Sequence, residues 1–182
     1  SAAYGRYTYT FDSKISVGVG LRVEHTYAMP AATGVNNIER QNYFSFFPQA
    51  DLILPLGDSH QLIFNYARKI RRPSFWLLIP LRRPISETEV AVGNPKLKPS
   101  FSHEFSLNWV IRQKYTVTAG AYLMNDVWVS TPRVDPDDPM SLIRTPENQN
   151  SSSMWYVSAA VPVQVTPWWS FNANLVTRLV SH

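Results

Sequence analysis

From Ile15 to Glu24 the chain places a branched apolar side chain at every odd position and Ser, Gly, Arg or Glu at every even one. A β-strand turns successive side chains to opposite faces, so this segment carries one apolar face and one small or charged face. The same split recurs from Phe101 to Trp109 and from Trp169 to Leu175. Weaker alternation marks Ala3–Phe11, Tyr115–Val129 and Trp155–Val165, and Phe44–Leu54 and His60–Arg71 complete the set. No apolar stripe of three-to-four-residue period is sustained. The expected fold is all-β, an antiparallel meander of about eight strands. Pro48 and Pro162 count against two of these strands, because proline cannot donate to a ladder. Pro48 is expected near a strand start, and Pro162 has no account from the sequence.

The connections fall into two kinds that alternate. Tight turns are expected at Asp12-Ser13-Lys14, Gly57-Asp58-Ser59, Arg112-Gln113-Lys114 and Thr166-Pro167-Trp168. Between them run long polar or proline-rich loops, Ala28 to Asn42, Arg72 to Ser100 and Val134 to Ser152. A soluble sandwich tends to have short turns at both ends, whereas an outer-membrane barrel keeps short turns on its periplasmic rim and long loops outside. Strand length agrees with the barrel: about 11 residues tilted by about 45° project to about 25 Å. The uniform face (Val17, Val19, Leu21; Val157, Ala159, Val161, Val163) then meets lipid, and Arg22, Glu24, Asn172 and Asn174 face inward. Tyr7, Tyr9, Phe11, Trp109, Tyr115, Trp168 and Trp169 gather near the tight turns, as an interfacial girdle would.

Composition narrows the alternatives. Only 16% of residues are charged and 13% are aromatic, which excludes a disordered tail. There is no Cys, hence no disulfide framework and no thiolate ligand or nucleophile. No apolar run approaches the roughly 18 residues of a spanning helix. The net charge of +4 comes largely from Arg68 to Arg83, so no general nucleic-acid footprint is expected. The first residues lack a signal-peptide pattern and an initiator Met, which reads as an excised or processed piece.

Several strings together resemble a known family. Ala2-Ala3-Tyr4, then Gly20-Leu21-Arg22-Val23-Glu24-His25-Thr26, Tyr43 to Pro48, Asn65-Tyr66-Ala67-Arg68-Lys69-Ile70-Arg71-Arg72-Pro73-Ser74 and Gly93-Asn94-Pro95-Lys96-Leu97-Lys98-Pro99 resemble the barrel of TonB-dependent outer-membrane receptors. The match is to the Bacteroidetes-type outer membrane protein β-barrel family and covers nearly the whole chain. That resemblance implies part of a barrel of about 22 strands around a plug. It also implies outer-membrane location and import of a nutrient ligand with energy delivered by TonB. The implied partners are the remainder of the receptor barrel and its plug, TonB through an N-terminal region, outer-membrane lipid and an unidentified ligand. Residues 1–182 read as one region without a plug, its final Leu179-Val180-Ser181-His182 stopping in mid-pattern.

The candidate site residues are cationic. Arg68, Arg71, Arg72, Arg82 and Arg83, with Lys69, crowd the outer end of one strand and the loop after it, where they suit an anionic ligand or lipopolysaccharide phosphates. A solvated, ion-paired loop base is the plainer alternative. Pro73, Gly93, Asn94, Pro95, Leu97 and Pro99 read as a structural motif that folds the loop back onto the rim. Phe75-Trp76-Leu77-Leu78-Ile79 is expected to pack that loop inward. Asp135-Pro136-Asp137-Asp138 lacks the Gly and Glu of a calcium loop and is expected to be solvated.

His25, His60, His103 and His182 lack ligand spacing, so neither metal nor cofactor is expected. His103 and Glu104 point to opposite faces and cannot form a dyad. No nucleophile motif is present, so no enzyme is expected. Competing readings are a self-contained eight-stranded outer-membrane barrel acting as adhesin or anchor, a barrel hydrolase, and a soluble β-sandwich binding module.

Overall fold

The computed structural model describes residues 1–28 and 41–181. The loop expected between Ala28 and Asn42 lies, apart from its ends, outside the described residues, as does His182. In chain order the elements are β1 (Ala2–Thr10), β2 (Ser16–Ala28), β3 (Gln41–Leu56), β4 (His60–Arg71), α1 (Phe75–Leu78), β5 (Arg82–Ser86), β6 (Glu89–Val92), β7 (Ser100–Ile111), β8 (Tyr115–Val134), β9 (Leu142–Thr166) and β10 (Trp169–Ser181).

Eight of these strands form an antiparallel meander, β1-β2-β3-β4-β7-β8-β9-β10. β5 and β6 form a hairpin inside the loop between β4 and β7, and β6 adds in parallel to β9 through Glu89↔Leu142, Val90↔Ile143 and Ala91↔Arg144. The sheet is open, with β1 and β10 at its ends.

Register lines up the alternation of every strand. Val19 pairs with Tyr7 on one side and Ala50 on the other, and Leu52 continues the same face to Phe64, Leu107, Ala119 and Val157. This face stays uncovered: Tyr7, Val19, Leu21, Phe46, Leu107, Trp155 and Leu175 are all exposed. The buried apolar side chains among the described residues are few: Phe47, Leu78, Ile79, Leu97, Ala121 and Pro146. A sandwich would bury such a face against a second sheet. Here its natural cover is hydrocarbon, in which backbone polar groups must be satisfied within the sheet.

The tight turns form where expected. Lys14 (φ 63°), Gly57 (φ 69°), Arg112 (φ 51°) and Gln113 (φ 53°) take the left-handed backbone that tight hairpin turns use. Tyr9 and Phe11 meet edge to face at 4.8 Å between ring centroids beside the first turn, and His60 lies 5.8 Å from Trp109 beside the second and third.

Two expectations are corrected. Pro48 lies within β3 rather than near its start, paired with Leu21. The β3–β4 ladder runs only from Gln49↔Ala67 downward, so Pro48 stands where one flanking ladder has stopped. Pro162 is tolerated for the same reason: it pairs with Asn172 of β10, but β8 stops pairing with β9 at Ala160. The third long loop also shrinks to residues 135–141, because β8 and β9 continue as a paired hairpin from Val127↔Gln149 to Val134↔Leu142. That extension lies beyond the lipid band and is covered in part by the β5–β6 hairpin and its flanking loop, so it needs no strict apolar alternation and reads as loop in the sequence.

Candidate ligand site at the outer rim

The face opposite the apolar one is a polar wall tied together across strands. Arg6 pairs with Asp51 at 2.7 Å, Gln49 Nε2 donates to Tyr4 Oη at 2.7 Å, Lys69 pairs with Glu104 at 2.5 Å, and Thr118 Oγ1 donates to Asn108 Oδ1 at 2.8 Å. Small residues let these side chains lie flat. A Cβ at Gly18 would stand 2.5 Å from the Asp51 carboxylate, and one at Gly120 would stand 2.5 Å from the Tyr156 ring.

Above this wall the segment between β4 and β7 folds onto the β8–β9 extension. Asn94 is its anchor. Its Nδ2 donates to Pro146 O at 2.9 Å, its Oδ1 accepts from Lys96 N at 3.0 Å, and its own N–H donates to Leu77 O at 2.7 Å. Gly93 N donates to Ile79 O, and a Cβ at Gly93 would stand far inside van der Waals contact distance of that same oxygen. Leu97, 2% exposed, plugs into the loop between rigid Pro95 and Pro99. Lys98 N donates to Asn148 Oδ1 at 2.9 Å, and Asn148 Nδ2 donates back to Lys98 O at 3.1 Å. Leu78 and Ile79 pack inward as expected, while Phe75 and Trp76 remain exposed. Pro73 follows the end of β4, where a residue without an N–H closes the strand.

The rim arginines do not converge on one point. Arg68 lies on the apolar face, its guanidinium 4.6 Å from the Phe101 ring centroid and donating to Phe46 O at 3.0 Å. Arg71, on the polar face, stacks 4.0 Å over Trp128. Arg72 pairs with Glu24 at 2.5 Å and donates to Thr26 Oγ1 at 3.2 Å. Arg82 grips both Asp135 and Asp137, the latter at 2.7 Å. Arg83 donates to Trp76 O at 3.1 Å with its guanidinium 5.3 Å from the Trp76 ring centroid.

The sequence did not foreshadow the second half of this clamp. Asp135, expected to be solvated, is 1% exposed, because Arg82 and the Asp137 N–H enclose its carboxylate. Glu89 of β6 pairs with Arg144 of β9, the partner of Pro132 in β8. Asp138, at the exposed tip, has its carboxyl held below the ordinary value of 3.8 by the Ser141 hydroxyl, the Met140 N–H and the charge of Arg82. His103 and Glu104 do point apart: His103 Nδ1 lies 2.9 Å from Tyr66 Oη, and Glu104 faces Lys69. Among the described residues, no group of three His, Asp or Glu side chains is placed to hold a metal ion.

An open antiparallel meander with an uncovered apolar face and a charged opposite face is the wall of a membrane barrel. The profile of the outer membrane protein beta-barrel family matches residues 1–181. The chain belongs to that family.

Solved structures show the same fold. This outer-membrane barrel chain is similar to the siderophore receptor PirA from Pseudomonas aeruginosa, with a TM-score of 0.77 and 16% identity over 99% of this chain and 34% of that one. It is similar to the copper transporter OprC, with a TM-score of 0.70 and 18% identity over 99% and 29%. A mutant of the ferric enterobactin receptor PfeA from Pseudomonas aeruginosa, in complex with enterobactin, gives 0.69 and 15% over 98% and 26%. The chain therefore spans about a third or less of these receptors. No curated protein matches it in a sequence search. The protein is an outer-membrane protein, and its structural neighbours are receptors and transporters rather than enzymes.

Proposed function

We propose that this chain forms part of the barrel of a TonB-dependent receptor. In that role it supplies lipid-facing wall, lumen lining and the extracellular loops that meet a nutrient ligand. The observation that carries the reading is the superposition of the whole meander on about a third of a siderophore receptor. The remaining wall, the plug and the TonB contact belong to the rest of such a receptor, and the exposed edges of β1 and β10 are where neighbouring strands add. The chemistry is transport, not catalysis.

Within the rim, Arg71 and Arg83 are the arginines best placed for an anionic ligand. Both lie against Trp rings and neither meets a carboxylate among the described residues, whereas Arg72 and Arg82 are held by Glu24, Asp135 and Asp137. Depletion of solutes from the medium tests this, measured in cells with the intact gene, in cells lacking it, and in cells de-energised by a protonophore. One solute should disappear only with the gene and an energised membrane, and Arg71→Ala with Arg83→Ala should slow its loss. No gene-dependent solute would contradict the receptor reading.

A further inference from the structure

The outer face holds one charge in an otherwise uncharged field. Of the described residues that share this face below the β8–β9 extension, Arg68 is the only Asp, Glu, Lys or Arg. It sits eight residues up β4 from His60, about 19 Å above the periplasmic rim at 45° tilt. That is near the upper edge of an apolar band about 25 Å tall. Its side chain leans outward, towards the Phe101 ring and the Phe46 carbonyl, as a snorkelling cation does. His103 pairs with it across the ladder, while Arg68 Nε is buried without a partner.

Lower on the same face and two strands to the side, the surface is hollow. Ala119 and Ala121 of β8 form the floor of a groove of about 530 Å³, walled by Phe64, Phe105 and Leu107 on one side and by Trp155, Val157 and Leu179 on the other. Its walls are almost wholly apolar, and hydrocarbon is the surrounding solvent.

We propose that this groove and Arg68 form a binding site for a phosphorylated outer-leaflet lipid. An acyl chain lies over Ala119 and Ala121, and the phosphate meets the guanidinium of Arg68, with His103 beside it. The cation lies on the outer, headgroup side of the groove, which gives the ligand its polarity and its charge. The site is independent of what the receptor transports.

Native mass spectrometry of the purified full-length protein in detergent tests the site, with bisphosphorylated lipid A and its dephosphorylated form as probes. Retention of the bisphosphorylated lipid should fall about tenfold in Arg68→Gln and recover in Arg68→Lys, with the dephosphorylated lipid bound weakly throughout. Ala121→Leu, which fills the groove and keeps Arg68, should lower retention of both lipids. Heat-modified gel mobility reports folding for every variant. Wild-type retention in folded Arg68→Gln, or an equal loss in Arg83→Gln on the distant loop, would overturn the site. So would a change of oligomeric state in Ala121→Leu without lipid loss, which would assign the groove to a protein partner.

Discussion

The guanidinium of Arg82, on the β5–β6 hairpin, closes over the buried carboxylate of Asp135 at the tip of the β8–β9 extension. This ion pair, with Arg144 and Glu89 on the neighbouring rung, fastens the loop between β4 and β7 to a hairpin more than fifty residues away in sequence. The clamp gives the outer mouth a defined shape. Arg82→Gln would leave Asp135 buried without its cation, at a local cost of about 1–3 kcal/mol. Chymotrypsin should then cut the 72–99 segment faster while the strands stay protected. Unchanged cleavage would show that the hairpin is held elsewhere.

Gly93 tests the loop from the opposite end. Any Cβ there meets the Ile79 carbonyl oxygen, which is backbone and cannot rotate away. Gly93→Ala should displace Asn94 from Pro146 O and expose Leu97, with the same protease sensitivity as Arg82→Gln and normal heat-modified mobility of the barrel. Protection equal to wild type would contradict the close approach.

At the periplasmic rim, Arg112 and Gln113 both hold positive φ without being glycine. Side chains with a Cβ resist that conformation by about 1–2 kcal/mol each. Gln113→Gly should raise stability by about 1 kcal/mol, measured by denaturant unfolding in lipid vesicles, because a turn of this type favours Gly at its second position. A loss of stability would mean that the Gln113 side chain makes a contact of greater worth.

Asp138 sets a pH dependence at the loop tip. Its folded carboxyl titrates below its ordinary value of 3.8, so its contribution is present above that value and fades as the pH falls through the lower folded one. In micelles, the Met140 amide resonance should move across this acidic window, and Asp138→Asn should abolish the movement. A wild-type shift centred at or above 3.8 would contradict the hydrogen-bonded carboxylate.

The wall of the barrel was legible because lipid on one side forces apolar residues to recur every second position. Ile15–Glu24 and Phe101–Trp109 show this, and the register of β2 and β7 keeps it. The hairpin extension was not legible, because Leu142, Ile143, Arg144 and Thr145 pair beyond the lipid band, where the cover is another loop and neither face needs to be uniformly apolar. The rim arginines were visible as a charge run, but a run cannot say which side of a strand each residue takes. Arg68 and Arg71 are three residues apart and therefore on opposite faces. The partners of Arg68, Arg71 and Arg82, which are Phe101, Trp128 and Asp135 in that order, come from segments brought near only by the fold.

The central claim is that one face of this sheet meets lipid and the other meets water. With no native cysteine, a spin label can be placed singly at each position from Ser16 to Glu24 and from Val157 to Val163. Accessibility to oxygen and to a water-soluble nickel complex would then be read in lipid vesicles. Oxygen should dominate at Val17, Val19, Leu21, Val157, Ala159 and Val161, and nickel at the residues between them. Equal access to nickel on both faces would contradict the barrel wall.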